Sequence, residues 1–229
     1  MTKLSVIMPV YNERETILEI IGEIKKARLG NTEKEIVIVD DFSTDGTREI
    51  LKKIKEKGIK ILYHHKNMGK GYAIRTALKN ITGDIVIIQD ADLEYDPQEY
   101  GKLIEPIIRG ESAVVYGSRN LVKNEYSTLS FFLGGKAVTV IANLLYNTKI
   151  TDEPTCYKVF KSEIFKKINL KCKRFEFCPE ITAKVSKLGY KIKEIPISYH
   201  PRDKKQGKKI KWRDGIEAVW TLIKYRFKD

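Results

Sequence analysis

The stretch Ile85-Val86-Ile87-Ile88-Gln89-Asp90-Ala91-Asp92 decides how this chain folds. Four consecutive apolar β-formers cannot make one face of a half-exposed strand, so they predict a central parallel strand buried on both sides. That strand runs straight into two carboxylates in Asp-x-Asp spacing, with Glu94 two residues on. In an open α/β sheet, ligands collect at the carboxyl ends of the strands. Carboxylates on alternate residues there can share one hard divalent cation through oxygen ligands. Alone, the motif reads more readily as an acidic solvated loop, and its neighbours must decide.

Outward from this strand, the same grammar repeats. Residues 4–9 form a short apolar strand that leads into Pro9-Val10-Tyr11-Asn12-Glu13. Asn12, with Glu15 three residues on, predicts a capping box ahead of a helix carrying Ile17, Leu18, Ile21 and Ile24. Residues 36–39 form a second buried strand ending in Asp40-Asp41, after which residues 43–47 turn into a helix with Ile50, Leu51 and Ile54. Ile59–Tyr63 is a third strand, followed by His65-Lys66-Asn67-Met68-Gly69-Lys70-Gly71 and a helix through Leu78. Beyond the central strand, Asp96-Pro97-Gln98-Glu99 reads as an N-cap, a first-turn proline and a capping glutamate. A fifth strand over residues 112–116 ends in Gly117-Ser118-Arg119.

Alternating strands and helices with short loops predict an α/β fold, a mostly parallel sheet with helices on both faces. The polar clusters at Tyr11–Glu13, Asp40-Asp41, Asp90/Asp92 and Arg119 all follow strands, so they converge on one crevice. In phase, they point to a site that holds a polyanion through a metal. Gly69-Lys70-Gly71 lacks Walker A spacing, and no Gly-x-Gly-x-x-Gly follows the first strand, which excludes the common phosphate loops. Gly69 and Gly71 are read as turn glycines.

At 229 residues the chain fits a single domain, with a nucleotide-sugar half over 1–120 and an acceptor half over 121–229 once the resemblance described below is drawn. Its net charge of +13 calls for an anionic partner: nucleic acid, an acidic membrane surface or a phosphorylated substrate. Cys156, Cys172 and Cys178 have no zinc spacing and read as reduced thiols of a cytosolic protein. Met1-Thr2-Lys3-Leu4 leads directly into a strand, so no signal peptide is expected, and no apolar run reaches the roughly 20 residues needed to span a bilayer.

The most apolar part of the chain is Leu129–Tyr146, interrupted by Lys136 and Asn143 and weakened by Gly134-Gly135. It reads either as a core helix or as a helix lying in a membrane interface. Residues 171–174 read as a solvated loop, Phe175 and Phe177 as core, Cys178-Pro179-Glu180 as a helix start and residues 191–199 as a strand. A basic run over 202–213 precedes an amphipathic helix with Ile216, Val219, Trp220 and Ile223.

The motifs Pro9–Glu13, Asp40–Thr47, Asp90-Ala91-Asp92 and Gly117-Ser118-Arg119 resemble, in order, those of family 2 glycosyltransferases with the GT-A fold. Within these, the chain most resembles the dolichyl-phosphate mannose and glucose synthase group. The likeness continues through Asp152-Glu153-Pro154-Thr155-Cys156-Tyr157-Lys158 and Pro196-Ile197-Ser198-Tyr199-His200. The resemblance implies that Asp41 accepts a hydrogen bond from the nucleotide base, with Asp40 supporting the loop. Pro9, Tyr11 and Glu13 would line the nucleoside pocket, and Lys70 and Ala91 complete the donor side. Asp90 and Asp92 would carry Mg2+ or Mn2+ on the donor diphosphate. Glu94 stands where the mannose synthases commonly have Gln and adds charge to that metal site.

The expectation is an inverting transfer from a GDP-mannose- or UDP-glucose-type donor to polyprenyl (dolichyl) phosphate by a cytoplasmic, peripherally membrane-associated enzyme. Asp92, Arg119 and Asp152 would form the catalytic centre. Arg119, Lys136 and the basic run (Arg202, Lys204, Lys205, Lys208, Lys209) would hold the acceptor phosphate at an anionic membrane surface. The related synthases place an interface helix at Leu129–Tyr146, and a membrane-anchored partner subunit is a candidate tether. One rival is a hydroxyl acceptor with Asp152 or Glu153 as base. The other, a nucleic-acid-binding module, leaves Asp40, Asp41, Asp90 and Asp92 unexplained, so no nucleic acid is expected.

Overall fold

A computed structural model describes residues 1–126, 128–202 and 209–228. Its strands are β1 (Lys3–Val10), β2 (Glu33–Asp40), β3 (Ile59–Tyr63), β4 (Ile85–Ile88), β5 (Val114–Ser118), β6 (Lys158–Lys161) and β7 (Ile192–Pro196). The first four helices are α1 (Ile17–Lys26), α2 (Thr47–Lys53), α3 (Lys70–Leu78) and α4 (Tyr100–Ile108). They are followed by α5 (Leu129–Tyr146), α6 (Ser162–Lys167), α7 (Phe177–Lys187) and α8 (Trp212–Phe227).

All seven strands join one sheet in the order β3-β2-β1-β4-β6-β5-β7. β1 pairs in parallel with both β2 and β4, and β2 with β3. All four β4 residues are buried, as their unbroken apolar run requires. Each such side chain contributes about 1.5–3 kcal/mol relative to exposure. The register sets Val10 beside Asp40 at one edge, so the acidic loops after β1, β2 and β4 open on the same side.

The sequence reading misses β6. This strand runs antiparallel to both β4 and β5 and separates them in the sheet. Its four residues, Lys158-Val159-Phe160-Lys161, begin and end with lysine and offer no apolar run, yet Lys158 is fully buried. Its ammonium donates to the Glu153 carbonyl at 2.6 Å and lies 3.7 Å from the centroid of the Tyr116 ring. A cation–π contact and a charge-assisted hydrogen bond together make that burial tolerable.

Local differences have local causes. Asn12 is not a helix cap: it sits at φ 51°, its amide donates to Ser43 Oγ, and its Oδ1 accepts from Thr44 N. The helix starts later, after Thr16. Asp96 does cap Gln98 N, over a 3-10 turn that leads into α4, but Glu99 accepts from Ser198 N instead of closing a capping box. The fifth strand begins at Val114 because Ser112 Oγ turns back to the Val114 backbone. Gly69 is more than a turn residue. It has φ 91°, and a Cβ there would lie 2.3 Å from the Lys173 carbonyl oxygen. The loop before α3 is thereby pressed against residues 173–174.

Glu35 clamps β1, β2 and the turn before β4. Its carboxylate accepts from Ser5 Oγ at 2.6 Å and Thr82 N at 2.6 Å, and Lys3 Nζ lies 2.8 Å away. Burial pushes the carboxyl up, but the Lys3 bond and the hydroxyl and amide donors outweigh it, lowering the pKa from 4.5 to about 2. A depressed carboxyl contributes stability that is present above its unfolded value and lost as pH falls toward its folded one. Glu35→Gln is therefore expected to flatten the loss of stability between pH 4.5 and about 2. Urea unfolding of both proteins across that window measures it, and parallel pH profiles would refute the role.

Candidate active site

Four carboxylates meet where β4 ends. Gln89, fully buried, accepts from Tyr100 Oη at 2.5 Å and Tyr157 Oη at 2.8 Å through Oε1, and its amide donates to the Asp90 carbonyl. This clamp fixes the backbone that presents Asp90 and Asp92. The turn continues through Leu93 at φ 61°, and Asp92 Oδ1 accepts from Glu94 N at 3.2 Å. The fourth carboxylate, Glu13, comes from the loop after β1.

Cations from three parts of the chain compensate this cluster. Lys70, at the start of α3, lies 2.7 Å from Asp90 Oδ1 and 2.8 Å from Oδ2. Arg202 reaches Glu13 Oε2 and Asp92 Oδ2, both at 2.9 Å, while its own amide donates to Glu94 Oε1 at 2.8 Å. Lys209 pairs with Glu13 Oε1 at 2.5 Å and also donates to the Tyr11 carbonyl. The compensation is uneven. Burial would raise the Asp90 carboxyl, but Lys70 holds it below its ordinary value. Asp92 is pushed up to about 7 by burial and by the charges of Asp90 and Glu94, against the pull of Arg202.

A cavity of about 1090 Å³ opens over this cluster. Pro9, Tyr11, Glu13, Asp41, Lys70, Asp90, Ala91, Asp92 and Glu94 all line it. Asp40 lies behind, fully buried, accepting from Arg48 Nε at 2.5 Å and Ser43 N at 3.2 Å, and so braces the loop after β2. Asp41 holds the loop after β3 through His64, Met68 N and Gly69 N. His64 and Arg48 were not singled out from sequence. His64 directly follows β3, so the strand-end rule that located the other clusters points to it as well.

Arg119 and Asp152 also line the cavity, as a closed pair. Asp152 Oδ2 accepts from Arg119 Nε at 2.7 Å and Arg119 N at 2.9 Å, and Oδ1 accepts from Nη2 at 2.7 Å. The guanidinium also sits 4.9 Å from the Tyr199 ring centroid. Burial works to raise the Asp152 carboxyl, but Arg119 holds it below the usual carboxylate range. Both oxygens are occupied, which leaves Asp152 little capacity as a base. Glu153 is buried beneath, with Oε1 accepting from Thr182 Oγ1 at 2.9 Å.

Lys136 lines the cavity from α5, its ammonium 5.6 Å from the Phe132 ring centroid. Arg202 and Lys209, read from sequence as acceptor ligands, are turned instead to the carboxylate cluster. Lys204, Lys205 and Lys208 lie outside the described residues. Phe177 is core, but Phe175 lines the cavity, as do Lys173 and Arg174 of the expected solvated loop.

Among the described residues no three His, Cys, Asp or Glu side chains form a ready cation cradle. Asp90 and Asp92 are turned to Lys70 and Arg202. The donor chemistry nevertheless fits a hard divalent ion, since the residues after β4 offer carboxylate oxygens and Asp92 is raised by burial and by its like-charged neighbours. Asp90, Asp92 and Glu94 are the side chains that would hold it.

The apolar face of the amphipathic helix read from sequence, α8, turns largely outward. Ile216, Trp220 and Ile223 are exposed, Trp220 to 63%, and Leu222 and Tyr225 are buried instead. Beside it, Leu129, Leu133, Val140 and Leu144 of α5 are exposed too. α5 is the one described helix long and apolar enough to cross a membrane by length and composition, although its 18 residues span only about 27 Å. It is docked on the domain, with Val138 and Ala142 against Leu222 and Tyr146 Oη donating to the Leu222 carbonyl.

Removing one partner of a buried ion pair strands the other. Asp152→Asn should therefore lower stability by about 3 kcal/mol through the orphaned Arg119, before any effect on chemistry. Replacing both residues by apolar side chains should recover much of that loss. A urea midpoint for Asp152→Asn equal to that of the unsubstituted protein would refute the coupling.

Residues 5–169 match the model of the family described as glycosyl transferase family 2. A low-salt glycan biosynthesis hexosyltransferase from Haloferax volcanii is 30% identical over 203 residues, covering 87% of this chain and 48% of that protein. A dolichol-phosphate mannosyltransferase from Pyrococcus furiosus is 30% identical over 232 residues, covering 97% of this chain and 64% of that one. The UDP-N-acetylglucosamine–dolichyl-phosphate N-acetylglucosaminyltransferase of Methanococcus voltae is 30% identical over 214 residues, with 83% of each covered. The chain thus spans about half the length of the first relative and under two thirds of the second. Glucosyl-3-phosphoglycerate synthase from Mycobacterium tuberculosis, solved with Mn2+ and UDP-glucose, superposes with a TM-score of 0.75 over 100% of this chain and 80% of that one. At 18% identity that likeness establishes the GT-A fold. With the family model covering more than half of its residues, the chain belongs to glycosyl transferase family 2.

Proposed function

We propose that the chain transfers a sugar from a nucleotide-diphosphate donor to a polyprenyl phosphate at a membrane face, with inversion at the anomeric carbon. One observation carries this reading. A single cavity runs from the carboxylates after β4 to Phe131, Lys136 and Val138 of α5 and Trp212 and Ala218 of α8. One end suits a charged nucleotide, and the other suits an apolar chain with an anionic head. The dolichyl-phosphate transferases among the relatives support the same acceptor class.

In the proposed reaction, a phosphate oxygen of the acceptor attacks the anomeric carbon as the bond to the donor diphosphate breaks. A phosphate monoester carries about −1.5 to −2 charge at neutral pH, so no proton need be removed by the protein. This agrees with an Asp152 already occupied on both oxygens by Arg119. The chain's task is to orient the acceptor and receive the charge of the leaving group. A divalent ion held by Asp90, Asp92 and Glu94 would supply neutralising charge to the departing diphosphate. Lys70 is the protein's own cation at that point. Burial would lower its pKa, but Asp90 holds it well above the ordinary value, so it stays protonated. Lys136 and the Arg119–Asp152 pair line the part of the cavity proposed for the acceptor.

Asp92→Asn is expected to reduce transfer by 10²-fold or more, roughly 3 kcal/mol of transition-state stabilisation, with folding retained. The assay uses a panel of nucleotide sugars with polyprenyl phosphate and Mg2+ or Mn2+. Full turnover by the variant at saturating metal would remove Asp92 from the mechanism. No transfer to any polyprenyl phosphate, with transfer to a glycan hydroxyl, would replace the acceptor.

The exposed α5–α8 face is proposed to lie in the interface of an anionic bilayer. Basic residues near such a surface contribute about 1 kcal/mol each, and the apolar side chains add buried area. Ile216→Ser with Trp220→Ser should weaken flotation with anionic vesicles roughly tenfold or more while circular dichroism stays unchanged. Equal flotation of both proteins would move the contact elsewhere.

A further inference from the structure

Asp41 lines the donor end of the cavity, yet most of its hydrogen-bonding capacity is already used. We infer that the pocket selects uracil over guanine, because Asp41 has one lone pair left to offer a base. This inference rests on the proposed reading of the chain as a nucleotide-sugar transferase. An ionised carboxylate has about four acceptor sites and no donor. Oδ1 accepts from His64 Nδ1 at 2.7 Å and from Met68 N at 2.8 Å, and Oδ2 accepts from Gly69 N at 2.7 Å. Among the described residues, three of the four sites are filled by the protein itself.

These three donors are held by packing and cannot be withdrawn without disturbing it. His64 Nε2 lies 3.0 Å from Thr76 Oγ1, and the ring meets Tyr72 edge-on with centroids 5.4 Å apart. Nδ1 must carry its proton toward Asp41, because the carboxylate can only accept. The Gly69 backbone is pressed against the Lys173 carbonyl, and Gly71 N and Tyr72 N anchor the same loop to residues 174 and 173 at 3.0 Å each. Asp41 itself is only 3% exposed, so an unmatched donor placed against it would be poorly solvated.

The two bases ask different things of a carboxylate. The imide of uracil offers one ring N–H, which the remaining Oδ2 site can accept. The pairing edge of guanine offers a ring N–H and an exocyclic amino group side by side, a fork that needs both oxygens. With Oδ1 filled, one guanine donor is left without an acceptor. Such a buried, unmatched donor weakens affinity on the order of 10- to 100-fold. His64 is therefore a positioning residue for base selection, acting through Asp41.

Calorimetry on the intact chain with UDP, GDP and ADP at one fixed Mg2+ concentration tests this. UDP should bind tightest, ahead of GDP by on the order of 10- to 100-fold. His64→Leu frees one Oδ1 site and should narrow the UDP/GDP ratio, whereas a purely structural role would weaken both nucleotides alike. If that variant fails to fold, the ratio in the unsubstituted protein decides. GDP or ADP binding as tightly as UDP overturns the inference and leaves the transferase reading standing. An unchanged ratio in folded His64→Leu also overturns it. Absence of binding by all three nucleotides overturns both the inference and the donor reading.

Discussion

Carboxylates crowded at the end of a buried strand cannot all stay ionised without cations close by, and much of this structure answers that constraint. Burial and the charges of Asp90, Glu94 and Glu13 raise the proton affinity of Asp92, against the pull of Arg202. Lys70 arrives with α3, while Arg202 and Lys209 arrive from beyond β7. Arg202 alone joins residues 13, 92 and 94, which draws the end of the sheet and the start of the chain into one electrostatic unit. A divalent ion held by Asp90, Asp92 and Glu94 would compete with Lys70 and Arg202 for the same oxygens. Charge on the donor side is thereby linked to the basic segment that sequence reasoning assigned to the acceptor.

The parallel half of the sheet was legible because its strands are unbroken apolar runs that end in polar clusters. β4 shows this best: four buried residues, then Asp90. β6 was not legible, because a four-residue strand bounded by lysines carries no periodicity, and Lys158 is buried only through partners distant in sequence. The Asn12 capping box failed for a related reason. Residues 43 and 44 compete for the Asn12 amide and carboxamide, a tertiary contact that local spacing cannot reveal. In the site, residue types at strand ends were readable, but their pairing was not. Nothing in the sequence indicates that Lys209 turns to Glu13.

Arg119 and Asp152 illustrate the same limit. From sequence they are separate candidates, a phosphate clamp and a base. Folded, they form one bidentate pair 33 residues apart, braced by the Tyr199 ring. A guanidinium that already satisfies a carboxylate contributes to the cavity as part of a nearly neutral unit. Kinetic comparison of single substitutions at these two positions therefore reads the break-up of the pair as much as either side chain's chemistry.

The apolar pattern of α8 was legible in period, but its direction was not. Sequence gives the helical spacing of Ile216, Trp220 and Ile223, but amphipathicity alone does not say which face meets the core. Here Leu222 and Tyr225 take the inner positions, and the larger apolar stripe is left outside beside that of α5. Two neighbouring helices whose apolar faces are exposed among the described residues form a patch of the kind that marks an interaction surface. The cavity reaches this pair of helices from within, through Phe131 and Ala218. An acceptor drawn from a bilayer could then present its phosphate to the carboxylate end without its apolar chain crossing water. The outward stripe and the inward cavity are thus two sides of the same helix pair.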